Sequence, residues 1–139
     1  MAPLKKIILY AVFAVCTSCS ISNTDRNEFS DYYHFRISEI VDYNILTQST
    51  SDIHMQDWLR FLENCDYLES LTGCKFHYIQ SEPPIYNDAA LFKQDTALLA
   101  RWLSENGKYW SKQKADKYLE ELDLDDKIEN KSKHKRKKN

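Results

Sequence analysis

The chain has 139 residues, which is room for one domain. An apolar share of 42% and an aromatic share of 13% exclude a chain that is disordered throughout. Two glycines, Gly73 and Gly107, are too few for a Gly-rich phosphate loop, a dinucleotide fingerprint or a nucleophile elbow. The low numbers of glycines and prolines, two and three, favour a mainly α fold, a small bundle of three to four helices.

The net charge of −2 conceals an asymmetry. Residues 20–130 hold all 21 Asp and Glu residues against 11 Lys and Arg, which makes this part about −10. Residues 131–138 hold six Lys and Arg and no acid. The chain is therefore an acidic domain with a basic end.

The first eighteen residues have the pattern of an export signal. Lys5 and Lys6 precede the apolar run 7–15, and small or hydroxyl side chains follow it. A membrane span needs about 20 apolar residues, and the second half of this uncharged stretch, "CTSCSISNT", is polar. Export with cleavage explains the segment better than a transmembrane helix.

The stretch "VCTSC", with Thr17 and Ser18 before Cys19, resembles the lipobox of bacterial lipoproteins. The resemblance implies that Cys19 becomes the acylated first residue, anchored to the inner or outer membrane and facing away from the cytoplasm. In that family the position three before the cysteine is usually Leu or another aliphatic residue, and here it is Cys16. This departure leaves ordinary cleavage, and a secreted protein, as the alternative.

These patterns divide the chain into four parts. We predict a signal peptide at 1–18, a flexible tether at 19–30, a single helical domain at 31–128 and a disordered basic tail at 129–139.

Two helices are predicted in the first half of the domain. The first covers 30–47 behind a cap at Ser30, and the second runs from Thr50 or Ser51 to Thr72, with Gly73 as its left-handed end. Apolar residues recur every three or four positions in both segments: Phe35, Ile37, Ile40, Val41, Tyr43, Ile45, Ile53, Met55, Trp58, Leu59, Leu62, Cys65, Leu68 and Leu71.

Cys65 and Cys74 are predicted to form a disulfide, since an oxidising compartment would leave them as an even pair. The bond requires the second helix to break near Asn64, because an unbroken helix would hold the two cysteines too far apart. Free thiols are the alternative. A zinc site from Cys74, His77, Cys65 and His54 is disfavoured because structural zinc sites show two tight ligand pairs, and no cofactor is expected.

The middle of the domain contains a linker. Residues 75–80 could form a short strand or an extended lead into Pro83 and Pro84, which require extended backbone. Tyr78 and Tyr86 flank this linker and could contact a ligand such as a sugar or a peptide. The alternative is that both rings pack against the adjoining helices.

A third helix is predicted from a cap at Asn87 or Asp88 to an end at Asn106 and Gly107. Asp95 falls inside its apolar stripe, and a buried carboxylate needs partners. Asp95 is therefore either a functional acid or the acceptor of bonds from a Tyr, an Arg or a helix N-terminus.

A fourth helix is predicted from Ser111, with an apolar pattern that fades after Leu124, and the third and fourth helices should form an antiparallel hairpin. The basic tail could bind anionic lipid headgroups, fold against the acidic body, or simply aid solubility. Its candidate anion-binding residues are Lys133, Lys135, Arg136, Lys137 and Lys138.

Two functions of different class fit these patterns. The first is a non-enzymatic interaction module of the envelope, such as an immunity or inhibitor protein, whose acidic body meets a basic protein partner and no nucleic acid. The second is a small hydrolase or glycan-processing enzyme that uses Glu82, Asp88 or Asp95. This enzyme would need two carboxylates facing one cleft, about 5–9.5 Å apart.

Overall fold

A computed structural model describes residues 21–136, apart from the side chains of residue 128 and of residues 131–136. It consists of four α-helices, α1 (Asn23–Ser49), α2 (Met55–Thr72), α3 (Ala89–Asn106) and α4 (Lys112–Arg136), with a 3₁₀ turn at Gly107–Tyr109 between α3 and α4. The mainly α prediction is confirmed. Within residues 21–136 no strand forms, and the short strand predicted near 75–80 is reduced to one bridge between Ile79 and Ile85.

Helix α1 begins earlier than predicted. Ser22 is its N-cap: the Ser22 hydroxyl accepts from the backbone N–H of Asp25 at 3.1 Å and donates to the Asp25 carboxylate at 2.6 Å. Phe29 lies on this first part of the helix and is 1% exposed. The predicted tether at 19–30 is therefore wrong from Asn23 onward, because a capped helix with a buried aromatic residue is part of the domain.

The ends of the next two helices follow local signals. Helix α2 ends at Gly73, whose φ of 72° is the left-handed conformation that the sequence predicts. The Asp88 side chain caps α3 by accepting from Ala90 N–H at 2.8 Å. Gly107 ends α3 as expected but stays right-handed, and a Cβ there would lie 2.9 Å from Leu103 Cδ1.

Helices α1 and α2 pack antiparallel and form the centre of the domain. The ring of Tyr32 meets that of Tyr67 near one end, and Tyr43 stacks on Phe61 near the other, with ring centroids 4.3 Å apart. The buried apolar residues are Phe29, Tyr33, Ile40, Tyr43, Phe61, Cys65, Leu68, Leu71, Leu99 and Ala115.

Helix α3 is attached to α1 through Tyr33. The buried Tyr33 hydroxyl donates to the backbone carbonyl of Leu99 at 2.8 Å, and the Tyr33 ring stacks on Trp102 at 5.6 Å. Burial raises the pKa of Tyr33, because a tyrosinate at this position would lose its hydration. Both parts of this side chain are thus used in joining the two helices.

Helix α4 packs on the α1–α2 pair and not on α3. Trp110, just before α4, packs on Phe29 at 6.4 Å, and Ala115 is fully buried. No Cα pair of α3 and α4 lies within 8 Å among the described residues. The predicted α3–α4 hairpin is wrong, because the 3₁₀ turn and Trp110 lead the chain across α1 before α4 begins.

Helix α4 also continues through most of the predicted tail. Exposed pairs four residues apart, such as Lys127 with Asp123, support the described part of this helix. The prediction of a disordered tail at 129–139 is therefore wrong for 129–136. Among the described residues no helix is long and apolar enough to cross a membrane.

Candidate functional site

Asp95 is a buried carboxylate with three hydrogen-bond donors around it. Its side chain is 2% exposed on the inner face of α3. One oxygen, Oδ2, accepts from the backbone N–H of His77 at 2.7 Å and from the hydroxyl of Tyr86 at 2.6 Å. The other, Oδ1, lies 2.6 Å from His77 Nδ1. Since an ionised carboxylate only accepts, these contacts place a proton on His77 Nδ1.

The backbone between His77 and Tyr86 brings both residues to Asp95. Ile79 and Ile85 exchange backbone hydrogen bonds of 2.7 and 3.3 Å, which closes the linker into a short hairpin. At the tip, Tyr43 on α1 donates to the carbonyl of the fully buried Pro84 at 2.9 Å. Asp95 therefore fastens both arms of the hairpin to α3.

The imidazole of this arrangement reaches the surface of the domain. The His77 side chain is 45% exposed, so its second ring nitrogen can reach solvent. None of the surface clefts described below is lined by His77 or Asp95. Burial and the hydrogen bond to Asp95 raise the pKa of Tyr86, which keeps its hydroxyl a donor.

Tyr78 and Tyr86, the predicted ligand contacts, lie in a row of aromatic rings. Tyr78 packs edge-on against Phe61 at 5.2 Å and against Tyr86 at 6.2 Å, and Tyr86 packs against Phe92 at 5.2 Å. The two rings join the hairpin to α2 and α3, so they pack against the adjoining helices, which was the alternative to ligand contact.

The predicted disulfide is wrong, because both Cys65 and Cys74 are free thiols in the structure. Helix α2 does not break at Asn64, whose side chain donates to the carbonyl of Arg60 at 2.9 Å inside the helix. The helical residues that follow Cys65, as far as Thr72, rise about 10 Å, beyond the reach of a disulfide. Burial raises the pKa of the Cys65 thiol, which keeps it protonated.

A second feature lies on one outer face of the α1–α2 pair. Side chains three or four positions apart line an open groove along both helices, and the buried rings of Tyr43 and Phe61 form its floor. We call this groove the seam surface. Besides its floor it is lined by Tyr32, Phe35, Arg36, Glu39, Asp42 and Leu46 of α1 and by Asp57, Arg60, Glu63 and Asn64 of α2.

The seam surface has an excess of acidic side chains and includes an exposed aromatic ring. It carries four carboxylates against two guanidiniums, that of Arg60, 3.7 Å from Glu39, and that of Arg36, 4.0 Å from Glu63. Phe35 is 56% exposed, although its spacing predicts an inward position, because Ile40 and Tyr43 take the buried face of α1. The excess of carboxylates favours a basic ligand, and the exposed ring favours one that is also apolar.

Arg36 holds the upper end of the seam surface in place. Its guanidinium lies over the rings of Tyr67 at 4.1 Å and Tyr32 at 4.9 Å, and one nitrogen donates to Asn64 Oδ1 at 2.9 Å. Glu63 is 4.0 Å away at the surface. These contacts join α1 to α2 where α4 crosses them.

Helix α4 covers the other end of the same face. Lys112 Nζ lies 4.9 Å over the ring of Tyr32, and Leu119 and Leu122 adjoin Tyr67 on α2. Every described side chain from Asp123 onward is exposed. The helix thus covers one end of the face and leaves the other open as the seam surface, and it adjoins α2 as far as Asp126.

The remaining predicted site residues lie at or beyond the edges of the described part. Lys133, Lys135 and Arg136 fall in the last turns of α4, whereas Cys19 and the pair Lys137 and Lys138 lie outside the described residues. Between residues 21 and 136 no group of three His, Cys, Asp or Glu side chains could hold a metal ion.

Sequence reasoning missed two features of these sites. It considered His77 only as a metal ligand and did not connect it to Asp95, because no local pattern links positions 18 residues apart. It also missed the seam surface, whose signal was a second stripe on α1 in which Glu39 and Asp42 alternate with apolar residues. Comparisons with protein-family models, with curated proteins and with solved structures find no match for this chain.

Proposed function

We propose that this chain is a lipid-anchored helical domain of the cell envelope that acts as a non-enzymatic interaction module. In this proposal Cys19 carries the acyl anchor and the seam surface receives a basic segment of a protein partner. An immunity or inhibitor role fits such a module, since both act by occupying a partner.

The observation that carries the proposal is the charge and shape of the seam surface. It is a groove between two helices with four carboxylates, two arginines and the exposed ring of Phe35. Grooves between helices receive amphipathic helices through apolar contacts, and complementary charges set the choice of partner.

Charge reversal at the seam surface tests the binding role. A variant carrying Asp42→Lys and Glu63→Lys should lose at least tenfold in capture of its envelope partner. The control carries Asp52→Lys and Glu82→Lys, which change the net charge equally at exposed loop positions. Raising the salt from about 0.15 M to about 1 M should also weaken capture, because salt screens exposed charges. Equal capture by both variants would contradict the assignment.

The anchor has its own test. Intact mass of the mature protein from a bacterium should show an N-terminus at acylated Cys19, and Cys19→Ala should move the protein out of the membrane fraction. An unprocessed N-terminus in the wild-type protein would contradict the envelope location.

The Asp95–His77 pair favours a second candidate function, a small envelope hydrolase. The imidazole bonded to a buried carboxylate could act as a general base. The other two candidate acids, Glu82 and Asp88, are exposed, and Asp88 serves as the cap of α3. Hydrolysis of envelope glycans by the purified chain, lost in His77→Gln, would favour this candidate over the interaction module.

A further inference from the structure

We propose that the exposed side chains of Lys108, Tyr109 and Lys114 form a membrane-facing surface that binds the anionic headgroups of phosphatidylglycerol. We call these three residues the anchor-end surface. The proposal rests on the acyl anchor proposed above, and it names the side of the domain that this anchor holds against the bilayer.

The first support is the short distance between the anchor and the folded domain. Ser22 caps α1 only three residues after Cys19. Three residues span at most about 11 Å when fully extended, and the headgroup layer on each side of a bilayer is about 5–8 Å thick. An acyl chain on Cys19 would therefore hold the first turn of α1 at or next to the headgroups.

The second support is the position of the segment 107–117 at this end of the domain. The start of α4 lines one cleft together with Asp25 and Glu28 of the first two turns of α1. Trp110, immediately before α4, packs on Phe29. The anchor-end surface therefore lies close to the point where the chain leaves the domain towards the anchor.

The third support is the distribution of charge. The segment 107–117 carries four Lys and one Asp, whereas the rest of residues 20–130 carries 20 Asp and Glu against seven Lys and Arg. An anionic bilayer attracts the lysines and repels the acidic remainder. Charge thus favours the same orientation as the anchor.

Two of the four lysines are occupied by neighbouring acids. Lys112 bonds to Asp116 at 2.7 Å, and Lys117 lies 4.0 Å from Glu121. Both lysines also line the cleft between α1 and α4, which contains further carboxylates. These two ammoniums therefore serve the acids of this end of the domain.

The other two lysines lie beside aromatic rings. Lys108 Nζ is 4.9 Å from the centroid of the Tyr109 ring, and Lys114 Nζ is 5.0 Å from that of Trp110 and donates to the Tyr109 carbonyl at 2.8 Å. Each ammonium has three donors, so donors remain for phosphate oxygens. Tyr109 is 56% exposed, and tyrosine and lysine together are typical of the membrane–water interface.

Lysine footprinting of the acylated protein tests this surface. The full mature chain, with its acyl group checked by intact mass, is inserted into vesicles of phosphatidylcholine with or without phosphatidylglycerol, lipids that carry no reactive amine. Mass spectrometry follows the acetylation of each lysine. Phosphatidylglycerol should slow the acetylation of Lys108 and Lys114 at least about threefold. Lys93, exposed and about 20 Å along α3 from Gly107, should be unaffected.

Three results would overturn the proposal. The first is equal acetylation of Lys108 and Lys114 in both kinds of vesicle, and the second is equal protection of Lys93. The third uses a variant that carries Lys133→Gln and Lys135→Gln: protection of the anchor-end surface should remain, and its loss would assign the headgroup contact to the basic tail. Raising the salt to about 1 M should remove the protection in the wild-type chain, because salt screens exposed charges.

The same experiment separates this proposal from the proposed function. A mature protein without an acyl chain on Cys19 contradicts both. An acylated protein whose Lys108 and Lys114 stay unprotected overturns only the anchor-end surface, since the anchor itself and the seam surface have their own tests.

Discussion

His77 Nδ1 lies 2.6 Å from Asp95 Oδ1, and the backbone N–H of the same histidine donates to the other oxygen at 2.7 Å. One residue of the hairpin thus satisfies both oxygens of a buried carboxylate on α3. Tyr86 supplies a third donor from the other arm. The hairpin is held at both ends by one side chain of the core.

Removing the charge of Asp95 should therefore destabilise the whole domain. Asp95→Asn places an amide donor against His77 and Tyr86, and the free energy of unfolding should fall by about 2–3 kcal/mol. Tyr86→Phe should cost about 1 kcal/mol. Urea unfolding followed by circular dichroism measures both changes. The control is Glu82→Gln at the exposed tip of the same hairpin. An Asp95→Asn effect as small as this control would contradict the role of Asp95 in holding the hairpin to α3.

Two phenylalanines of α1 form a matched pair that tests where the folded domain begins. Phe29 is 1% exposed within the predicted tether, and Phe35 is 56% exposed on the seam surface. Phe29→Ala should lower the free energy of unfolding by about 3–5 kcal/mol, and Phe35→Ala should change it by about 0.5 kcal/mol or less. Thermal and urea unfolding measure both. Equal effects would mean that residues 23–29 do not pack on the domain.

The two thiols should differ in reactivity. Burial raises the pKa of Cys65 on α2, whereas Cys74 is half-buried after the helix end. At neutral pH a maleimide should modify Cys74 first, and Cys65 should react only when urea opens the domain, because the thiolate is the reactive form. Mass spectrometry of the native protein after each step locates the label. A protein that takes up no label until it is reduced would instead contain the disulfide.

Stability should fall in alkaline solution. Burial is the main cause that raises the pKa of Tyr43 and of Tyr67 to about 12, from an ordinary value of 10.0. Both stay protonated in the folded state while the unfolded chain ionises. Their contribution is therefore fully present below pH 10 and is lost as the pH rises from 10 towards 12.

Urea unfolding at increasing pH measures this loss. The free energy of unfolding should fall by up to about 1.4 kcal/mol per pH unit for each tyrosine. Tyr67→Phe should flatten the dependence, and Tyr109→Phe, at a position 56% exposed, should leave it unchanged. An identical slope in both variants would contradict the role of burial.

The sequence determined the fold class and most helix ends, because these depend on interactions within a few residues. The left-handed Gly73, the cap at Asp88 and the 3.6-residue apolar period are all local signals. The expectation that Asp95 would need partners also came from its local position, since a carboxylate in an apolar stripe must be satisfied.

Only the tertiary structure decided which residues distant in sequence contact one another. Phe29 belongs to the core because Trp110, 81 residues later, packs against it, and α4 does not pair with α3 because both helices pack on the α1–α2 pair. Asp95 meets His77 through a hairpin, and the seam surface exists because α4 covers one end of a face and leaves the other open. These outcomes depend on contacts between residues distant in sequence, whose free energies no local pattern reveals.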